Sequence, residues 1–67
     1  MRIVLNGETA ETAAATVRAL LDERGIDPEA RGVAVAVNEA VVPRRDWTNR
    51  ALGAGDAVEI VKPFRGG

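Results

Sequence analysis

The chain contains no cysteine, histidine, serine or tyrosine. Without cysteine, neither a disulfide nor a thiolate-bound metal can staple the fold. Without histidine, the side chain that most often serves as a general base near neutral pH is missing, and without serine or cysteine so are the usual nucleophiles. The remaining hydroxyls are Thr9, Thr12, Thr16 and Thr48, and Lys62 is the only lysine. Ten carboxylates remain, but on a domain of this size most belong to solvated surface. The inventory disfavours an independent enzyme. Charge of one sign is also lacking: nine basic residues face ten acidic ones, for a net charge of −1. That argues against nucleic acid, which is usually met by a clustered basic surface. No stretch approaches the roughly 20 apolar residues of a membrane span, and no signal peptide is visible, so the expected location is the cytoplasm. Aromatics are reduced to Trp47 and Phe64.

What is present is an aliphatic core's worth of side chains in one small domain. Hydrophobic residues make up 46% of the 67 residues, enough for a compact fold rather than a disordered chain. A chain this short buries only about 60% of its extended surface, so modest stability is expected. "RIVLN" (2–6) reads as a strand with Ile3 and Leu5 on one face and Val4 on the other. Asn6-Gly7 follows, the strongest two-residue hairpin signal, because both positions tolerate positive φ. The partner strand is then about Glu8 to Thr12.

Thr12 and Thr16 are both candidate N-caps for the helix that follows. Ala13 to Ala15 favour the earlier start; the hairpin's need for residues 8–12 favours Thr16, which is adopted. Val17, Leu20 and Leu21 form an i, i+3, i+4 apolar stripe. Gly25 suits the position after the helix end, and Pro28 blocks continuation. "GVAVAVN" (32–38) is a strand with Val33, Val35 and Val37 on one face and Ala34 and Ala36 on the other. Both faces are apolar, so it is central or offers a smooth face to a partner. A turn at Glu39-Ala40 leads into "VVP" (41–43), which Pro43 ends or confines to an edge. "RRDWTNR" (44–50) is a loop with a helical turn, Asp46 being a candidate cap. "GAGD" is a turn, and "AVEIV" (57–61) is the last strand, stopped by Pro63.

The order β-β-α-β-β-β predicts an α+β domain: a mixed sheet of four to five strands with one helix packed across one face. That is the β-grasp, or ubiquitin-like, architecture. The domain runs over 1–62, and 63–67 is a flexible tail ending in Gly66-Gly67. Terminal glycines alone read either as a frayed end or as a reactive carboxylate. Glycine lets an extended backbone pass a narrow channel without side-chain clash, and a glycyl carboxyl is unhindered. From Lys62 to Gly67 the tail reaches at most roughly 20 Å, enough to place the carboxylate in a partner's active site.

Several side chains admit a bland and a sharp reading. Trp47 reads as a lid over the sheet edge rather than a partner-facing hot spot. Arg44 and Arg45 read as a solvated pair rather than as steering charges. Phe64, beyond the last strand, is a candidate docking contact. Ala34 and Ala36, with Val4 and Val61, form a candidate flat apolar patch for a partner or for a second copy.

The sequence resembles the ThiS family, the sulfur carriers of thiazole (thiamine) biosynthesis, over nearly the whole chain. The similarity rests on "RIVLNGE", "TVRALL", "VAVAVNEAVVPRRDW", "GAGDAVEIV" and the terminal "GG". The resemblance implies that an E1-like adenylating enzyme of the ThiF type uses Mg-ATP to adenylate the C-terminal carboxylate, here that of Gly67. It implies that sulfur from a donor such as a cysteine desulfurase displaces AMP to leave a thiocarboxylate, which a thiazole synthase of the ThiG type consumes. The carrier itself binds no cofactor and has no catalytic residues. Gly66, Arg65 and Phe64 are assigned to tail threading and recognition. A monomer with at most weak self-association is expected. Phe64 and Arg65 are not part of the family signature, and "RGG" also ends ubiquitin. Two alternatives therefore stand beside this one: a carrier for another pathway, of the molybdopterin type, and a ubiquitin-like binding or conjugating module with no sulfur role.

Overall fold

The computed structural model describes residues 1–63. Strands β1 (Arg2–Leu5) and β2 (Glu8–Glu11) form a hairpin around Asn6-Gly7, with Leu5 opposite Glu8. Both turn residues have positive φ, 50° and 83°, as the two-residue turn that matches strand twist demands. Helix α1 (Val17–Glu23) follows, then β3 (Ala34–Val37), β4 (Ala40–Val41), a 3₁₀ turn over Arg44–Asp46, and β5 (Ala57–Val61). The sheet order is β2-β1-β5-β3-β4. β5 inserts between the two hairpins, parallel to β1 and antiparallel to β3. This is a β-grasp fold: a mixed five-stranded sheet whose inner face is covered by α1.

Thr16 caps the helix. Its backbone is extended, and its Oγ1 accepts the Ala19 N–H at 3.1 Å. The three alanines before it stay outside the helix because their backbone is already satisfied elsewhere. The buried Thr12 hydroxyl accepts the Ala14 N–H and donates to Glu23 Oε1, while Glu23 Oε2 accepts the Ala13 N–H. The Ala15 carbonyl takes the Leu52 N–H, and Thr16 pairs with Ala51. Helix propensity loses to these ties. At the other end the Gly25 N–H bonds Asp22 O and the Ile26 N–H bonds Leu21 O, with Gly25 at φ 71°. These are the two bonds of a Schellman motif, and they fold Ile26 back onto the core.

Four expectations for the middle of the chain need correction. β3 begins at Ala34 rather than residue 32, since Gly32 has φ 85° and pairing with β5 starts at Ala34↔Val61. The turn after β3 is Asn38-Glu39, both at positive φ, not Glu39-Ala40. Asn38 tolerates that conformation, and Ala40 is left to pair with Val37. β4 is accordingly Ala40–Val41, an edge strand that ends before Pro43. Asp46 makes no cap: the 3₁₀ turn starts after Pro43 without a side-chain cap, and it is the Asp46 carbonyl that accepts the Asn49 and Arg50 N–H groups.

The core consists of Ile3, Val17, Leu20, Leu21, Val35, Val37 and Val58 at its centre, with Ala14, Val33, Val42, Trp47, Leu52 and Ile60 around them. Each fully buried aliphatic side chain contributes about 1.5–3 kcal/mol before chain entropy is subtracted. Trp47 is the lid, buried, with its indole N–H donating to Val42 O at 2.8 Å. Arg44 is exposed, as expected of a solvated pair, but it also has partners. Its guanidinium stands 4.7 Å from the Trp47 ring centre and donates to Ala30 O, so it packs over the lid. Arg45 is exposed.

Candidate functional site

The last strand carries the tail, and its register is pinned from both neighbours by asparagines that also make the hairpin turns. Leaving β1, the chain turns away at Asn6, yet the Asn6 Oδ1 accepts the Ile60 N–H at 2.8 Å. The side chain supplies the acceptor that the departing backbone no longer offers. On the other side, Asn38 Oδ1 accepts the Ala57 N–H at 2.9 Å and Asn38 Nδ2 donates to Asp56 Oδ1. Asp56 also accepts the Gly53 N–H through Oδ2. These two donors, Gly53 first, hold the Asp56 carboxyl below its ordinary value. A one-residue slip of β5 would break both clamps and turn Val58 and Ile60 out of the core.

Beyond Val61 come Lys62 and Pro63, both exposed. Two open grooves flank this root. One, of about 240 Å³, is lined by Leu5, Asn6, Arg24, Ile26, Ile60 and Lys62. The other, of about 260 Å³, lies between the residues after α1, chiefly Ile26 and Ala30, and Val33, Lys62 and Pro63. Gly32 lies directly beneath Pro63: a Cβ at position 32 would sit 3.1 Å from the proline Cβ.

The sheet's outer face is the third feature. Val4, Val41 and Val61 are exposed, Ala34 is exposed and Ala36 half-buried. Ala36 faces both Glu59 and Val41, and Ala34 faces Val61. Together they make the flat apolar area expected from the alternation in β3, with a concavity of about 260 Å³ around Glu59. Val41 is an addition; its place opposite Ala36 follows from the Asn38-Glu39 turn.

Comparison with known proteins decides the family. The model of the ThiS family matches residues 3–67. The chain belongs to the ThiS family. Over its whole length it is 32% identical to the sulfur carrier protein ThiS of Escherichia coli K12, also matched over its full length. It is 43% identical to a segment of a thiazole synthase from Paramagnetospirillum magneticum, and it spans 20% of that relative's length. A crystal structure of the thiamine biosynthesis protein ThiS from Geobacter metallireducens superposes with a TM-score of 0.80 at 28% identity, each chain covered in full.

The residues that the sequence nominates as the ThiS-type reactive end, Phe64, Arg65, Gly66 and Gly67, lie outside the described residues, as does most of the expected tail 63–67. The described residues hold the platform from which they leave. The parts missed from sequence are Asn6 and Asn38 as clamps on β5, and Gly32 as the surface beneath Pro63. Asn6 was legible only as a turn residue, because its second bond spans 54 positions of chain.

Proposed function

We propose that this chain is a sulfur carrier whose Gly67 carboxylate is the reacting group. The observation that supports it most is the family match across residues 3–67, which includes Gly66 and Gly67, together with full-length similarity to a relative named as a sulfur carrier. In this reading the chain is a cosubstrate without catalytic residues of its own. An E1-like activating enzyme holds Mg-ATP, and a carboxylate oxygen of Gly67 attacks the α-phosphorus and expels pyrophosphate. The acyl-adenylate turns a poor electrophile into one with a good leaving group. A sulfur nucleophile then attacks the acyl carbon and AMP departs. The chain contains no cysteine, so the sulfur comes from a separate donor, such as a cysteine desulfurase. Gly66 keeps the approach to the reacting carbon slim, and Phe64 and Arg65 make contacts around the channel.

Thiazole synthase is the proposed acceptor. A relative bearing that name contains a segment similar to this whole chain, which puts a carrier-like unit and a synthase on one polypeptide. The exposed outer face, adjoining the strand that leads into the tail, is the surface proposed to seat the activating enzyme. The reaction sequence is assigned to the cytoplasm. No helix among the described residues is long and apolar enough to cross a membrane.

The test is intact mass after incubation with the activating enzyme, Mg-ATP and a sulfur donor. Replacement of one carboxyl oxygen by sulfur is the expected outcome, and deleting Gly67 abolishes it while leaving the circular dichroism spectrum unchanged. Sulfur transfer at the normal rate by the truncated chain, or isopeptide adducts to lysines in place of the thiocarboxylate, would overturn the assignment.

A further inference from the structure

We propose that Gly32 is a positioning residue for the reactive end: it forms a seat for Pro63 that sets the direction in which the last four residues leave the domain. The inference deepens the sulfur-carrier reading and rests on it for its kinetic consequence. Four glycines among the described residues have positive φ: Gly7, Gly25, Gly32 and Gly55. For Gly7, Gly25 and Gly55, a Cβ would meet nothing within 4 Å, so these glycines serve backbone conformation alone. Gly32 differs. A Cβ there would stand 3.1 Å from Pro63 Cβ, 3.6 Å from its Cγ and 3.7 Å from its Cα, the first tighter than an ordinary van der Waals contact. Glycine at 32 therefore serves two purposes, a left-handed backbone entering β3 and an open floor beneath the proline ring.

The partner in this contact matters because of where it sits. Proline has φ locked near −65°, so fixing its ring fixes much of the direction of the chain that follows. Three residues earlier, the Ile60 N–H is held by Asn6 Oδ1, and Val61 is registered against Ala34. The root is thus held at two points, by a strand clamp and by a ring on a glycine floor, immediately before the Phe64-Arg65-Gly66-Gly67 end. Those four residues span at most about 14 Å, so the position and direction of the root bound the region that the carboxylate can reach. A root that is already fixed spares the activating enzyme that part of the ordering cost on docking.

The experiment compares Gly32→Ala with Gly55→Ala. Both glycines have φ 85°, so both alanines meet a left-handed φ that L residues disfavour, but only the one at 32 crowds Pro63. Both are assayed where circular dichroism shows them folded. The expected result is a rise of about tenfold in the activating enzyme's KM for the Gly32→Ala carrier with kcat within about twofold, and unchanged constants for Gly55→Ala. In the free protein, residual dipolar couplings of the Phe64 and Arg65 amides change in Gly32→Ala only. Equal kinetics and equal couplings in the two variants would overturn the seat. A wild-type chain that is never adenylated would instead sink the carrier assignment, with the couplings still deciding the seat. Should Gly32→Ala fail to fold, Pro63→Gly empties the seat from the other side and is expected to raise KM to the same extent.

Discussion

The two faces of the sheet are built from the same strands and much the same residue types, yet they have opposite fates. On the inner face Val35 and Val37 are 2% and 1% exposed, whereas on the outer face Val41 and Val61 are 76% and 59% exposed. The side chains of a strand point alternately to the two faces, so in β3 the choice is made residue by residue: valine toward α1, alanine away from it. Branched side chains fill the space under the helix, and small ones leave the other side flat. The inner face accounts for folding. The outer face contributes little to it, and that frees it to be judged by what it can bind.

The largest expected effect that would test this contrast is on stability. Leu20→Ala, at the centre of the helix-covered side, is expected to cost about 2–5 kcal/mol, while Val41→Ala on the open side should stay within about 0.5 kcal/mol. Urea denaturation of both variants measures the difference, and similar losses would mean that the outer face is also structural. A smaller effect probes the helix that covers the inner face. Thr16→Ala removes the side chain that accepts the Ala19 N–H and is expected to lose about 1 kcal/mol. Thr16→Asn should retain most of it, because the amide oxygen can take the same bond.

The smallest effect belongs to neither face but to the polar ties at the rim. The Thr12 hydroxyl and the Ala13 N–H hold the Glu23 carboxyl below its ordinary value of 4.5. Asp56 is likewise held below 3.8 by the Gly53 N–H and the Asn38 amide. Both groups bind protons more weakly folded than unfolded, so their stabilisation is complete above those ordinary values. It is lost as pH falls through them toward the lower folded values. Stability should therefore be flat between about pH 6 and 8, where no histidine titrates, and decline in acid. Glu23→Gln and Asp56→Asn should each make that decline shallower, as thermal melts across the acid range would show. An unchanged acid profile in both variants would remove the rim ties from the account of stability.

Much of this architecture was legible beforehand, for local reasons. Asn6-Gly7 dictates a hairpin through backbone sterics alone, and Gly25 ends the helix by the same logic. The valine-alanine alternation announced two unlike faces, and the order of elements pointed to the β-grasp arrangement. The family resemblance reached the Gly66-Gly67 end, which lies beyond the described residues. Less legible were the contests between local preferences. Ala13 to Ala15 are good helix formers, and the bonds from Thr12, Glu23 and Leu52 keep them out of the helix. Arg44 is exposed as expected, but nothing near it in sequence reveals that Ala30 O lies within reach of its guanidinium.

Periodicity, turn chemistry and the inventory of side chains thus determined the elements, their order and the absence of the usual catalytic groups. These follow from φ/ψ limits and from the faces that a strand or a helix presents, all of which act within a few residues. Only the tertiary structure decided what holds β5 and the root of the tail. Asn6 meets Ile60, Asn38 meets Ala57, and Gly32 lies beneath Pro63, each pair brought together across 19 to 54 positions of chain. Contacts at that separation exist only once β5 has been inserted between the two hairpins.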